Sequence, residues 1–219
     1  MDVHVRLFAA LRERAGAEQI ELSLPDGSLV ADALERLGEL TAGIPVVMAV
    51  NREYAPPDRP LAAGDELALI PPVSGGSAPA SRADTRAHVR IRSEPLSVDS
   101  LLGLVADSRA GAIVCFLGVT REVPALEYEA YAEMAQAKLD EIVRRAIDRH
   151  GLCAAAAEHR IGTVALSQPS VAVAASAPHR EQAFAGAREI IDTIKACAPI
   201  WKREEGEWVQ GTLPTATDR

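Results

Sequence analysis

Residues 71–87 read PPVSGGSAPASRADTRA, and the organisation of the whole chain turns on them. Pro, Gly, Ser and Ala dominate the run and no hydrophobic period passes through it, which marks a linker rather than a helix or strand. It splits the 219 residues unequally, into a unit of residues 1–76, a linker of residues 77–87 and a unit of residues 88–219. If the linker is a flexible coil its ends lie about 15–20 Å apart, so the two units stay near each other.

Upstream of the linker, Val3, Val5 and Leu7 alternate with Asp2, His4 and Arg6, the period of a half-buried strand. Phe8, Leu11 and Ala15 suggest a short helix. Residues 20–24 alternate again, and Leu29, Ala33, Leu34 and Leu37 recur at helical spacing. Residues 45–50 and 66–70 read as two further strands. Downstream, strands are expected over 88–91, 113–117, 126–131, 154–161 and 171–175, and helices over 98–105 and 134–147. Phe184, Ala187, Ile190, Ile191 and Ile194 fall on one face of a last long helix that Pro199 must end. A short strand at Trp208 and Val209 closes the chain. The whole is an α+β protein without internal repeats.

Composition narrows the functional classes. With 48% hydrophobic and 25% charged residues the chain is ordinary for a globular protein. No run approaches the ~18 apolar residues of a membrane helix, and Asp2 and Arg6 open the chain without an apolar leader, so a cytoplasmic location is expected. Three cysteines, Cys115, Cys153 and Cys197, lack disulfide or zinc spacing and are expected as buried thiols. A net charge of −8 opposes nucleic-acid binding, which needs clustered cations, yet leaves room for one local basic pocket.

On spacing alone Gly75-Gly76 reads first as a turn opening the linker. A slender carrier arm is the other reading, since only glycine lets a backbone thread a narrow pocket. Around it stand Val5-Arg6-Leu7-Phe8-Ala9, Leu11-Arg12-Glu13, Ala49-Val50-Asn51, LAAGDE at 61–66 and PPVSGG at 71–76. Together these resemble the small subunit of molybdopterin synthase over essentially all of residues 1–76. The resemblance implies a ubiquitin-like β-grasp fold and a carrier role for Gly76, whose carboxylate an ATP-dependent enzyme adenylates and sulfurates to a thiocarboxylate. One departure matters. Here Gly76 is joined to Ser77 by a peptide bond, and an amide carbonyl cannot be activated as a carboxylate. Cleavage between Gly76 and Ser77 is therefore expected, most simply by a protease acting on an exposed linker; attack by the Ser77 hydroxyl is chemically conceivable.

A second constellation lies near the C-terminus. KACAPIWKRE, residues 195–204, holds Lys195 and Lys202, which on spacing alone read as two solvated lysines. Brought together they would lower each other's pKa and suit proton transfer or nucleophilic attack. Ser176, Pro178, His179 and Arg180 sit at a helix start, a plausible anion site, and Arg121 follows an apolar strand. FLGVTR at 116–121, HRIG at 159–162, the run 176–180 leading into Phe184, and KACAPIWKRE together resemble the large subunit of molybdopterin synthase. That implies an α/β hammerhead-type domain, cyclic pyranopterin monophosphate as substrate, and a pocket of Arg121, His179, Arg180, Lys195 and Lys202.

On this resemblance two sulfurs pass from the Gly76 thiocarboxylate to the pterin side chain, a fresh carrier serving each transfer, with no metal or cofactor at this step. Lys195 is expected to move a proton or stabilise the acyl intermediate, and Lys202 to polarise substrate or thiocarboxylate. Geometry adds a constraint: along one unbroken helix His179 and Lys195 stand about 24 Å apart, too far for one small substrate. A homodimer is expected, with His179 and Arg180 of one chain completing the pocket of the other. Residues 1–76 carry twelve acidic and six basic side chains, so an acidic carrier facing a basic pocket is a further expectation. Cys197 as sulfur carrier is disfavoured, His159 is read as structural, and Trp201 and Trp208 as core or interface. Two other classes stay open: an uncleaved storage or assembly form, and a non-enzymatic ubiquitin-like carrier with a docking domain.

Overall fold

The computed structural model describes residues 1–72 and 86–209. Gly76, Ser77 and all of the expected linker before Arg86 lie outside the described residues.

The N-terminal unit runs β1 (Asp2–Leu7), α1 (Ala9–Ala15), β2 (Gln19–Ser23), α2 (Val30–Arg36), α3 (Gly38–Thr41), β3 (Val47–Val50), β4 (Glu53–Ala55) and β5 (Glu66–Ile70). The strands form one sheet in the order β2-β1-β5-β3-β4, with β1 parallel to β5 and the other pairs antiparallel, the ubiquitin-like β-grasp arrangement. Alternation dictates the core: Val3, Val5 and Leu7 point inward against Leu11, Val30, Ala33, Leu67 and Leu69. The strand β4 escapes sequence reading because it is three residues long and its hairpin turn carries no glycine. Asn51 and Arg52 take φ of 51° and 72°, the left-handed pair of a tight hairpin. Asn51 holds the turn by bonding the Asp65 carboxylate (2.9 Å) and the Glu66 amide (3.0 Å).

The second unit runs β6 (Ala87–Arg92), α4 (Val98–Leu104), β7 (Ala112–Val119), β8 (Ala125–Ala130), α5 (Ala132–His150), β9 (Ala154–Arg160), β10 (Gly162–Ala165), β11 (Pro169–Ala177), α6 (Arg180–Cys197), β12 (Ile200–Glu204) and β13 (Glu207–Trp208). One sheet has the order β6-β9-β11-β7, the other β10-β8-β12-β13. In the first, alternate residues feed two layers. Ala155, Ala157, Val171, Val173 and Ala175 meet α5 and α6, while Ala154, Ala156, Ala172 and Ala174 meet Leu101 and Val105 on the α4 side. Alanine is a poor strand former, but small side chains on both faces let helices close on the sheet from either side. At Gly151 a left-handed residue ends α5, and Pro199 follows the end of α6.

Four sequence expectations need correction. Tyr131, read as the end of a strand, is the buried residue that caps α5. Phe184 shares a helical face with Ile191 but is 63% exposed, because it lies at the margin of the buried arc of α6, which centres on Ala183, Ala187, Ile190 and Ile194. Cys153 and Cys197 are buried, whereas Cys115 is exposed: β7 is an edge strand whose outward face, with Ile113, Leu117 and Val119, carries no cover. The strand β10, which pairs with β8 and not with its sequence neighbours, went unread because it is four residues long and mostly exposed. Among the described residues no helix is long and apolar enough to cross a membrane.

The two units dock against each other. Phe8 leaves the β-grasp core to lie between Tyr131 (ring centroids 4.8 Å apart) and Trp201 (5.1 Å), with Ala49, Ala68, Ile70 and Met134 closing the cluster. Glu129 accepts from the Ala9 amide (3.2 Å) and pairs with Arg12 (2.7 Å), and Arg203 pairs with Glu13 (3.0 Å). Arg6 stacks over Tyr131 and reaches Glu133 at 3.6 Å, while the Tyr131 hydroxyl donates to Glu66. An acidic carrier on a basic partner does not describe this contact. The carrier contributes arginines to two of these three interdomain pairs, because its surplus acid lies elsewhere on its surface.

Candidate active site

Period two in β8 and β12 divides their sheet into a face that holds the carrier and a face that lines a cavity. The register pairs Trp201 with Glu129, and both turn toward the N-terminal unit. One residue on, Lys202 pairs with Tyr128 and Glu204 with Leu126, and all four line a cavity of about 400 Å³. The last turn of α6 adds Lys195, the loop after β7 adds Arg121, and β9 adds His159. Gly118 is a close-packed point on the rim, where a Cβ would fall 2.6 Å from Val171 Cγ1.

Of the residues expected at a site, Arg121, Lys195 and Lys202 come together in this cavity. His179 and Arg180 do not. His179 caps the N-terminus of α6, which is unbroken from Arg180 to Cys197, so Lys195 lies about 24 Å away at the helix's other end. Both residues are exposed. Gly76 and Ser77 fall outside the described residues.

Lys195 is exposed rather than desolvated in the single chain, its ammonium 5.8 Å from the centre of the Phe116 ring. Lys202 is partly exposed with Glu204 at 4.0 Å, and Arg121 is 81% exposed beside Glu122. The cavity is therefore a cationic wall with two carboxylates at its edge, suited to an anionic ligand. Composition sharpens the point. The chain has 20 arginines and only three lysines, Lys138, Lys195 and Lys202. Two of those three face one cavity, where an amine that can lose its proton does what a guanidinium cannot.

Sequence reading missed three lining residues. Burial raises the Tyr128 pKa, and Ser170, which also lines the cavity, donates to the Gly118 carbonyl (3.3 Å). His159 was read as structural, yet it lines the cavity while only 7% exposed. Burial, with a smaller push from the Lys195 charge, drives its pKa down to about 4 against the opposing bond to the Arg160 carbonyl. An unfolded chain protonates such an imidazole near 6.5, so between these values the unfolded state binds more protons. The contribution of a neutral His159 is complete above that upper value and is lost as pH falls toward 4, amounting to about 3 kcal/mol. Thermal unfolding followed from neutral to mildly acidic pH should show this loss, and His159→Gln should flatten it.

Among the described residues no group of three or more His, Cys, Asp and Glu could hold a metal ion.

Comparison with known proteins agrees with both halves. The sequence model of the MoaE protein family matches residues 91–197, and that of the ThiS family matches residues 5–76. The molybdopterin synthase catalytic subunit of Coccidioides immitis is 39% identical over 137 residues, 56% of this chain and 70% of that one. The catalytic subunit of Thermoplasma volcanium is 39% identical over 132 residues, 55% of this chain and 96% of that one. The crystal structure of molybdopterin synthase from Staphylococcus aureus superposes with a TM-score of 0.52 at 34% identity, covering 54% of this chain and 94% of that one. The chain belongs to the MoaE family of molybdopterin synthase catalytic subunits, joined in one polypeptide to a ThiS-family, ubiquitin-like sulfur-carrier domain, and its role lies in molybdopterin synthesis.

Proposed function

We propose that the protein is a sulfurtransferase that converts cyclic pyranopterin monophosphate to molybdopterin, with Gly76 as the sulfur-carrying residue. One contact carries the proposal. The Trp201 indole donates to the Pro71 carbonyl at 3.2 Å, one residue from the cavity-facing Lys202. The carrier's last strand thus ends against the sheet whose other face lines the cavity, and the five residues from Pro71 to Gly76 can span at most about 17 Å. The scheme requires that reach to bring the Gly76 thiocarboxylate to Lys195 and Lys202.

In this scheme a protease hydrolyses the Gly76–Ser77 amide, and an ATP-dependent enzyme adenylates the freed carboxylate and replaces one oxygen by sulfur. Each carrier then gives its sulfur to the pterin side chain, and a second carrier supplies the second. Lys195 takes the proton or stabilises the acyl intermediate left when sulfur departs, which water hydrolyses to return the Gly76 carboxylate, Lys202 polarises the reacting carbonyl, and Arg121 holds phosphate. No resident cofactor is invoked, and the compartment is the cytoplasm. His179 and Arg180 act in trans, from the other chain of a homodimer. The uncovered apolar stripe of Ile113, Leu117 and Val119 on β7 supports this, since it runs to the rim of the cavity at Gly118. Mixing His179→Ala chains with Lys195→Ala chains should then restore turnover that neither variant shows alone, up to about a quarter of wild type by random pairing. No recovery would place His179 outside the site.

The carrier is already docked in the uncut chain, and this favours a second possibility, an assembly or storage form. The intact mass of the protein from its own host separates the two. A fragment ending at Gly76 with one oxygen-to-sulfur exchange is the expected result. A single uncut chain alongside synthase activity would rule cleavage out.

A further inference from the structure

We propose that His159 is a positioning residue for Lys195, its Nε2 lone pair accepting a hydrogen bond from the lysine ammonium at the cavity wall. This rests on Lys195 being the group that handles the transferred acyl or proton. The Nδ1 atom of His159 lies 2.7 Å from the Arg160 carbonyl oxygen. A carbonyl can only accept, so Nδ1 carries the hydrogen and Nε2 is left as a bare acceptor. The ring cannot turn away: it is buried, and the Tyr128 ring meets it edge-on at 5.2 Å and 69°. Among the described residues no bond to Nε2 is formed by a neighbour, yet the residue borders the cavity that Lys195 also lines.

The lysine needs such a fixed point. It is exposed, stands on the last turn of a helix and has four rotatable bonds, and its other neighbour, the Phe116 ring, gives attraction without direction. The same environment keeps the imidazole an acceptor, since burial and the Lys195 charge both oppose its protonation. A histidine whose two nitrogens are committed in this way, one to backbone and one toward a cavity amine, differs from a merely packed one in what its replacement does to that amine.

The chain's three lysines make the test clean. Full-length protein is labelled with trinitrobenzenesulfonate and each lysine is quantified by peptide mass spectrometry. Loss of an acceptor disfavours the ammonium, so His159→Leu should raise labelling of Lys195 about threefold or more. Lys138 and Lys202 should not change, and His159→Gln, whose amide oxygen can accept in place of Nε2, should stay near wild type. Wild-type labelling of Lys195 in folded His159→Leu would overturn the proposal. So would an Nε2–H tautomer at His159 in the imidazole ¹⁵N spectrum of the wild-type protein, a measurement that needs no variant to fold. Neither readout depends on turnover, so each decides about His159 even if sulfur transfer is absent. In the transfer assay His159→Leu should lower kcat about tenfold with KM unchanged and His159→Gln should restore it.

Discussion

Lys195→Arg is expected to lower molybdopterin formation by about 10³-fold while leaving the fold and the binding of the pterin substrate intact. The charge survives the change, so an anion held by electrostatics alone would hardly notice it. What is lost is the option of a free amine, because a guanidinium stays protonated at any working pH. A chain that uses arginine at 20 of its 23 basic positions and lysine at two cavity positions makes this comparison pointed. Lys202→Arg, by contrast, keeps a polarising cation next to Tyr128 and should cost only about tenfold. The measurement is single-turnover conversion with a sulfurated carrier, with Lys195→Ala as the reference for complete loss. Full turnover in Lys195→Arg and Lys195→Ala would remove Lys195 from the chemistry. It would also favour a carrier whose second domain only docks.

Phe8→Ala should release the carrier from the catalytic domain. Phe8 is 5% exposed although it lies at the surface of its own domain, because Tyr131 and Trp201 enclose it. It belongs to the interdomain cluster and not to the β-grasp core of Val3, Val5, Leu7 and Leu11, so truncation leaves that core whole. Removing a ring buried between two others costs about 3 kcal/mol, or about 10²-fold in the docking equilibrium. The tether offsets part of this by keeping the local concentration of carrier near millimolar, so the docked state is weakened rather than abolished. Fluorescence reports it directly, since the only two tryptophans, Trp201 and Trp208, lie at or beside this contact. A red shift on Phe8→Ala, with slower turnover and unchanged pterin affinity, is the expected pattern. An unshifted spectrum with full activity would mean that the polar contacts around Glu129 and Arg203 hold the domains without the aromatic stack.

Much of this architecture was legible in residue order because its causes are local. Strand alternation at Val3, Val5 and Leu7, helical spacing from Ala187 to Ile194 and the stop at Pro199 are properties of neighbours in the chain. The elements that went unread, β4 and β10, are too short to show a period, and their turns lie at non-glycine or exposed positions. Phe184 shows the limit of pattern: it belongs to the apolar arc by angle but sits at its margin, and burial there needs an element packed on that side, which Ala183 has and Phe184 lacks. His159 shows the same limit at the site. A histidine in an apolar strand looks structural until another element sets a lysine beside it.

Sequence alone determined that the chain is a two-unit α+β protein, that its halves resemble a carrier and a catalytic subunit, and that His179 and Lys195 stand a full helix apart. These depend on periodicity, motif and the fixed rise of a helix, all of which residue order carries. Tertiary structure alone decided which lysines share a cavity, that Trp201 grips the carrier at Pro71, and that Phe8 is an interface residue. Those facts depend on strand register, β12 against β8 and one domain against the other, and a shift of one residue would put Trp201 in place of Lys202 at the cavity wall.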